Sequence, residues 1–262
     1  MFENQVNFKG NEEHLKMLLM AVENKDILLW AEYIKSQKIK YGEFSANFKG
    51  AHLPGINLQN FNLRGVNFEK SNLECAKISL SDLSPADYKS SNLRNTNLMN
   101  ANLSGSNLRE VNFKGANLIK ANFRVSILRE AILEKTNLKE ADFSSAHLHE
   151  AFFCFSNLYK ANFNGAYLIE STLTNSNLQK VNFSEADLRC IDLHDSDISG
   201  CNLYKSKRNS WGMSNIRCTH IYFDIERKKR IPGDRVFKEN EFKDCIFTET
   251  LITFENEDYN YI

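Results

Sequence analysis

A chain of 262 residues, 42% of them apolar and 11% aromatic, has material for a sizeable core, while 33 basic against 33 acidic side chains leave no global field to recruit nucleic acid or an anionic membrane. No apolar run reaches about 18 residues and no basic-then-apolar N-terminus precedes a small-residue cleavage site, so neither a spanning helix nor a classical signal peptide is predicted, and a cytoplasmic location is expected. The cysteines (Cys75, Cys154, Cys190, Cys201, Cys218, Cys245) lack CxxC pairs and regular spacing, which reads as reduced thiols rather than a disulfide framework or a zinc site.

Residues 1–45 are expected to form an N-terminal helical cap. Asn11 precedes Glu12 and Glu13 as an N-cap precedes an acidic first turn, and Leu15, Leu18, Leu19 and Val22 follow at helical spacing. Asp26 opens a second helix carrying Ile27, Trp30, Ala31 and Ile34, so residues 11–38 are predicted to be a helical hairpin. Val6-Asn7-Phe8-Lys9-Gly10 is identical to residues 111–115 and reads as a detached strand of the repeat that follows.

From residue 46 to 205 the period is five. Stepping from Phe48 to Leu203, all 32 positions are large and apolar or aromatic: 21 Leu, eight Phe, two Ile and Tyr88. Two residues earlier runs a small column, from Ala46 to Cys201, with 14 Ala and nine Ser; between them lies a column of 18 Asn and six Asp. Five is neither the helical period nor a sustained strand alternation. A short extended segment does fit: the small and large residues share one face, the middle residue points away, and the last two turn a corner. An apolar face recurring every five residues obliges the chain to wind about an axis, with Asn and Asp as turn formers in place of proline, of which there are three.

Units such as Ala101-Asn102-Leu103-Ser104-Gly105 and Ala116-Asn117-Leu118-Ile119-Lys120 resemble the pentapeptide-repeat family. The resemblance implies an all-β solenoid, a right-handed quadrilateral β-helix with four units in each coil, hence about eight coils over residues 46–205 and a length of roughly 38 Å at a strand spacing of ~4.8 Å.

Over residues 206–262 the pattern reads as register-shifted by three at Ser206-Lys207-Arg208, with Trp211, Ile216 and Ile221 continuing at five. A charged insertion, residues 224–234, follows and contains the basic loop 226–230. Phe237, Phe242, Phe247 and Ile252 then restore the period, giving four more units and an acidic tail. The alternative is an irregular C-terminal cap with a helix.

A β-helix filled by its own side chains has convex faces and no pocket where reactive groups converge. No Gly-rich phosphate loop, nucleophile elbow or metal-spaced cluster is present, so the chain is predicted to be no enzyme, with no catalytic residue, no cofactor, no metal and no small-molecule substrate. His147 and His149 flank Leu148 and both face outward, but two exposed histidines on one unit, like Cys218 and His220, are ordinarily solvated.

A binding surface is better supported. Six of the eight departures from Asn or Asp in the middle column are Ile127, Ile132, His147, Phe152, Tyr167 and Thr172; at four units per coil they fall in two columns on adjacent faces within three successive coils. Outward Phe155 and Ile169 belong to the same region. Clustered exposed apolar and aromatic residues mark interaction sites, whereas relaxed turn chemistry is the plainer reading, because Ile and Phe also favour strands. Beside the patch run charged columns, Arg109, Arg129 and His149 with Glu110, Glu130, Glu150 and Glu170, in which each Arg is expected to compensate the following Glu.

The expected function is a non-enzymatic protein-binding scaffold using the outer faces of a β-helix, its partner another protein or a second copy in a homodimer. The resemblance implies two alternatives: a DNA-mimicking topoisomerase-binding protein of the quinolone-resistance type, and a host-directed bacterial effector. The mimic needs an acidic surface, and residues 46–205 carry 17 basic against 16 acidic residues. Nucleic-acid and membrane partners are not expected.

Overall fold

The computed structural model describes residues 8–242, apart from residues 225, 229, 234, 239 and 240. Its body is a right-handed quadrilateral β-helix. The middle residue of each unit pairs in parallel with the residue 20 positions on: Asn47 with Asn67, His52 with Asn72, Asn57 with Lys77, Asn62 with Asp82. Four units therefore complete one coil.

Side-chain chemistry sets this geometry unit by unit. Ala116 and Leu118 are buried while Asn117 is half-exposed. The fifth residue adopts a left-handed φ, 56° at Lys120 and 60° at Glu140, and the turn closes where the Ala121 amide donates to the Leu118 carbonyl (3.0 Å). The middle Asn caps the corner: Asn122 Oδ1 accepts from the amide of Arg124 (3.1 Å), and its Nδ2 donates to Asn102 Oδ1 one coil earlier (3.0 Å). Asn thus serves as turn former and inter-coil rung together, which is why Gly and Pro are dispensable. Inside, rings stack one coil apart, Phe123 on Phe143 at 4.7 Å and Phe143 on Phe163 at 4.8 Å.

The N-terminus is a helical hairpin. In α1 (Glu12–Glu23), Asn11 accepts from the His14 amide; in α2 (Ile27–Tyr41), Asp26 accepts from the Leu29 amide (3.0 Å). Leu15, Leu18 and Leu19 are buried, as are Trp30 and Tyr33, and Trp30 Nε1 donates to the Asn62 carbonyl (2.8 Å) across the open end of the first coil. The buried stripe of α2 is narrower than the periodicity suggests, since Ile27 and Ala31 are exposed. Val6 and Asn7 lie outside the described residues. The remainder of that segment is not a repeat strand: Lys9 donates to the Lys49 carbonyl and Asn11 to that of Asn47, both at 2.9 Å, an antiparallel order where repeat units pair in parallel.

At the other end there is no register shift. The 20-residue pairing runs through Asp187–Lys207, Asp192–Gly212 and Asp197–Arg217, and then β1 (Cys201–Asn202) pairs in parallel with β2 (Ile221–Tyr222). Trp211, Ile216 and Ile221 occupy the small-residue column of a ninth coil, not a displaced large column. Trp211 fits because its Nε1 donates to the Leu188 carbonyl (2.7 Å), a bond of the kind made by small-column serines such as Ser91 to Phe68. The described part of the charged insertion lies against the coils: β3 (Arg230–Ile231) pairs antiparallel with β2, and Arg227 donates to the Lys180 carbonyl (3.0 Å). Phe237 and Phe242 are buried and packed edge to face, with helical backbone at residues 241–242, whereas Phe247 and Ile252 lie outside the described residues.

The four faces are identified by their middle residues: the first by 47, 67, 87 and so on, the second by 52, 72 and 92, the third by 57, 77 and 97, the fourth by 62, 82 and 102.

Candidate functional site

On the third and fourth faces the middle residue stays Asn or Asp through the middle of the molecule, and amide rungs join Asn117 to Asn97 (3.2 Å), Asn177 to Asn157 (3.3 Å) and Asn182 to Asn162 (2.9 Å). The first and second faces carry such rungs only at their lower coils, for example Asn107 to Asp87 (3.1 Å) and Asn92 to Asn72 (3.2 Å). Over the next three coils the ladder gives way to apolar and aromatic rungs. Ile127 pairs with His147 and His147 with Tyr167 on the first face; Ile132 pairs with Phe152 and Phe152 with Thr172 on the second. Above them Asp187 is held by Arg189 (2.8 and 2.7 Å) and Lys207 (3.7 Å), so the patch is bounded by polar rungs at both ends.

Phe152, Phe155 and Tyr167 are 45%, 58% and 42% exposed; Ile127, Ile132, Ile169 and Thr172 are half-buried. The Tyr167 ring lies 4.9 Å from that of His147 and 6.1 Å from that of His149. Nδ1 of His149 is buried with no hydrogen-bond partner, and burial, then the neighbouring Arg129 and His147, hold its pKa below the ordinary histidine value. The two imidazoles thus build an aromatic stack, and among the described residues no group of three His, Cys, Asp or Glu side chains is placed to hold a metal. Each substitution in the middle column also forfeits a turn cap. Asn112 Oδ1 accepts from the Lys114 amide (3.0 Å), a bond that Ile132 and Phe152 have no atom to make.

One residue of this region is absent from the sequence reading. Val125, 59% exposed, occupies the corner immediately before Ile127 with a φ of 57°, a conformation that is strained for a β-branched side chain. Its signal was an apolar residue in the fifth position of a unit, a place Phe155 (φ 59°) shares on the far side of the patch. A separate apolar surface, also unforeseen, lies on the cap, where Leu28 and Ile39 are 72% and 78% exposed.

The charged columns occupy the corner between the first and second faces. The expected compensation within each Arg-Glu pair is not made: Glu110 is 3.8 Å from Lys89 and accepts from Ser90 Oγ (2.8 Å), and Arg109, Arg129, Glu130, Glu150 and Glu170 form no ion pair among the described residues. The shortest Lys–Glu pairs of the solenoid join successive coils, as in Lys49–Glu69 (2.6 Å) and Lys114–Glu134 (2.7 Å), while adjacent corner positions pair elsewhere at longer range, as in Lys135–Glu134 (3.6 Å).

Among the described residues no helix is long and apolar enough to cross a membrane. No curated protein matches the chain. Solved structures similar to it include HetL, a pentapeptide repeat protein involved in heterocyst differentiation regulation from the cyanobacterium Nostoc sp. strain PCC 7120, with 19% identity over 74% of this chain and 96% of that one at a TM-score of 0.39. QnrB1, a plasmid-mediated fluoroquinolone resistance protein, shows 19% identity over 64% and 89% at a TM-score of 0.36. A pentapeptide repeat protein of the Arabidopsis thaliana thylakoid lumen shows 21% identity over 54% and 75% at a TM-score of 0.21. The family model for pentapeptide repeats matches overlapping segments from residue 46 to residue 203, more than half of the chain and all within the coiled body. The protein belongs to the pentapeptide-repeat family.

Proposed function

We propose that this protein is a non-enzymatic binding scaffold whose partner seats on the first and second faces, over Ile127, Ile132, His147, Phe152, Phe155, Tyr167 and Ile169, with Val125 at the rim. The observation carrying this reading is the replacement of Asn and Asp by apolar and aromatic side chains, three of them exposed aromatics when the adjoining Phe155 is included, on two adjacent faces over the same three coils, while the other two faces keep Asn or Asp there. Loss of turn caps costs stability, and a surface that gives them up in one contiguous place is organised around a contact rather than around its own fold. Aromatic anchors of this kind dominate binding energy at protein interfaces. The DNA-mimic reading gains no support from the ion pairs, which interleave basic and acidic side chains along the solenoid instead of leaving a continuous acidic stripe.

The test is the double variant Phe152→Asp with Tyr167→Asp, compared with wild type in affinity capture and in oligomeric state. Both side chains are outward and the pairing of their rungs is by backbone, so the variant is expected to fold. A contact anchored on these rings loses at least about 2 kcal/mol, or roughly 30-fold in affinity. An unchanged set of partners together with an unchanged oligomeric state rejects the reading.

A further inference from the structure

The two most exposed large apolar side chains among the described residues, Leu28 and Ile39, lie on one line along α2. Trp30 and Tyr33 turn the other side of that helix toward the solenoid, Trp30 packing on Phe48 (5.9 Å between ring centres) and Tyr33 on Phe44 (6.1 Å). On the outward side Leu28, Glu32, Lys35 and Ile39 follow in steps of four, three and four, within about 60° of arc around the helix axis. All four are exposed, and small exposed residues flank the line, Ala31 on one side and Ser36 on the other. Ser36 Oγ donates to the Tyr33 carbonyl (2.7 Å), so its hydroxyl is satisfied within the helix. Glu32 and Lys35 form no ion pair among the described residues.

Steps of four and three are the spacing of a seam between two helices, and a seam with two charges at its middle needs a partner that answers both. The line on α2 answers itself. Leu28 and Ile39 are centred on the point between residues 33 and 34, and so are Glu32 and Lys35. A two-fold axis through that point sets a second α2 antiparallel to the first. It brings Leu28 to Ile39 of the second copy at each end of the seam, and Glu32 to Lys35 of the second copy twice in the middle. A parallel pair would set the two Glu32 side chains against each other and the two Lys35 side chains likewise. We propose that the occupant of this face is a second copy of the protein, and that two copies form a closed two-fold dimer, cap to cap, through antiparallel α2 helices. The helix is held in place beforehand by the bond from Trp30 to the Asn62 carbonyl, so association has little further chain to order. The aromatic surface of the solenoid begins at Ile127, four coils above Asn47, or about 19 Å away. The dimer therefore draws on none of it and presents two copies of it to a partner.

Sedimentation velocity of the full chain between about 1 µM and about 1 mM tests it with three variants: Glu32→Lys, Lys35→Glu, and the two changes combined in one chain. Glu and Lys are both good helix formers and both positions are exposed, so all three variants are expected to keep the far-ultraviolet dichroism of wild type. Wild type is expected to pass from monomer to dimer with rising concentration and to grow no further. Either single change sets like charges together at both central contacts and is expected to raise the dissociation constant about tenfold or more. The combined change restores opposite charges in the reverse sense and is expected to dimerise as wild type does, as is an equimolar mixture of the two single variants. Wild type that stays monomeric at about 1 mM, growth beyond the dimer, a single variant that dimerises as wild type does, or a combined variant that stays monomeric each overturn the proposal. The double variant Phe152→Asp with Tyr167→Asp is expected to dimerise unchanged. Loss of its self-association while Glu32→Lys keeps that of wild type would move the contact to the aromatic rungs, so failure of the cap contact is distinguishable from failure of the scaffold reading.

Discussion

Tyr88 is the one tyrosine in a column otherwise of Leu, Phe and Ile, and its surroundings show why the column excludes polar atoms. The side chain is 1% exposed, its ring stacks on Phe68 at 5.2 Å, and its hydroxyl has no hydrogen-bond partner. Burial drives the phenol pKa well above its usual value. Because an unsatisfied buried hydroxyl costs about 1–3 kcal/mol, Tyr88→Phe is expected to stabilise the protein by about 1 kcal/mol. The check is a higher denaturation midpoint with an unchanged denaturant slope. Tyr88 could be placed from sequence because five-residue spacing alone determines that a large side chain points inward. The hydroxyl's isolation could not, since it depends on atoms one coil away. Val125 escaped for a related reason: attention to the middle column passes over an apolar residue whose position in the turn makes it both exposed and strained.

At the level of the single turn, Pro85 shows how the solenoid absorbs a unit that breaks its own rule. Proline has a fixed negative φ and is incompatible with the positive φ of the fifth position. The turn after Leu83 lacks its internal hydrogen bond among the described residues, a lack it shares with the proline-free turns after Leu133, Phe153 and Leu173. Ser106, one coil later, fills the gap: its Oγ accepts from the Ala86 amide (3.2 Å) and donates to the Leu83 carbonyl (3.0 Å). Ser126 is equally buried, but its Oγ only supplements a turn already closed by its own amide, both groups donating to the Phe123 carbonyl (2.6 and 3.1 Å). Ser106→Ala therefore orphans a buried donor and a buried acceptor and is expected to cost about 1–3 kcal/mol, against about 1 kcal/mol or less for Ser126→Ala. Equal losses in paired denaturation curves would show that the bridging bonds do not matter. The small column reads in sequence as a matter of size; seven of its nine serines are also hydrogen-bond donors to the preceding coil, a role that spacing does not reveal. The same gap explains the misread register beyond Leu203. Trp211 looks like a large-column residue by volume, and it takes a small-column place because its indole N–H does what a serine hydroxyl does elsewhere.

For the whole molecule the unpaired ends of the solenoid are the liability, and the two ends are closed differently: by an antiparallel strand on the last coil, and by the helical hairpin with its antiparallel lead-in segment on the first. The general form of this closure was legible in the caps Asn11 and Asp26 and in the loss of the repeat, while the direction of the covering strands was not, because a two-residue pairing leaves no periodic trace. Closure of the first coil depends on a protonation state. His14 Nδ1 accepts from the Asn47 amide (3.0 Å), a bond available only while that nitrogen is unprotonated, and its ring packs edge to face on Phe44 at 5.0 Å. Burial holds the His14 pKa below 6.5, against an opposing pull from Glu13. The folded state thus binds fewer protons than the unfolded one in this window, so the contribution of His14 is complete above pH 6.5 and is lost as pH falls through the lowered folded value. Trp30 sits in the same cap, its indole bonded to Asn62, and Trp211 is the only other tryptophan. In a Trp211→Phe background, acidification below pH 6.5 is expected to change Trp30 fluorescence while the far-ultraviolet dichroism of the coils persists. His14→Phe should remove that acid-dependent change, whereas His149→Asn, remote from the cap, should leave it in place. A fluorescence change that survives His14→Phe would place the pH-sensitive group elsewhere, and a simultaneous loss of the coil signal would mean that cap and solenoid unfold as one unit.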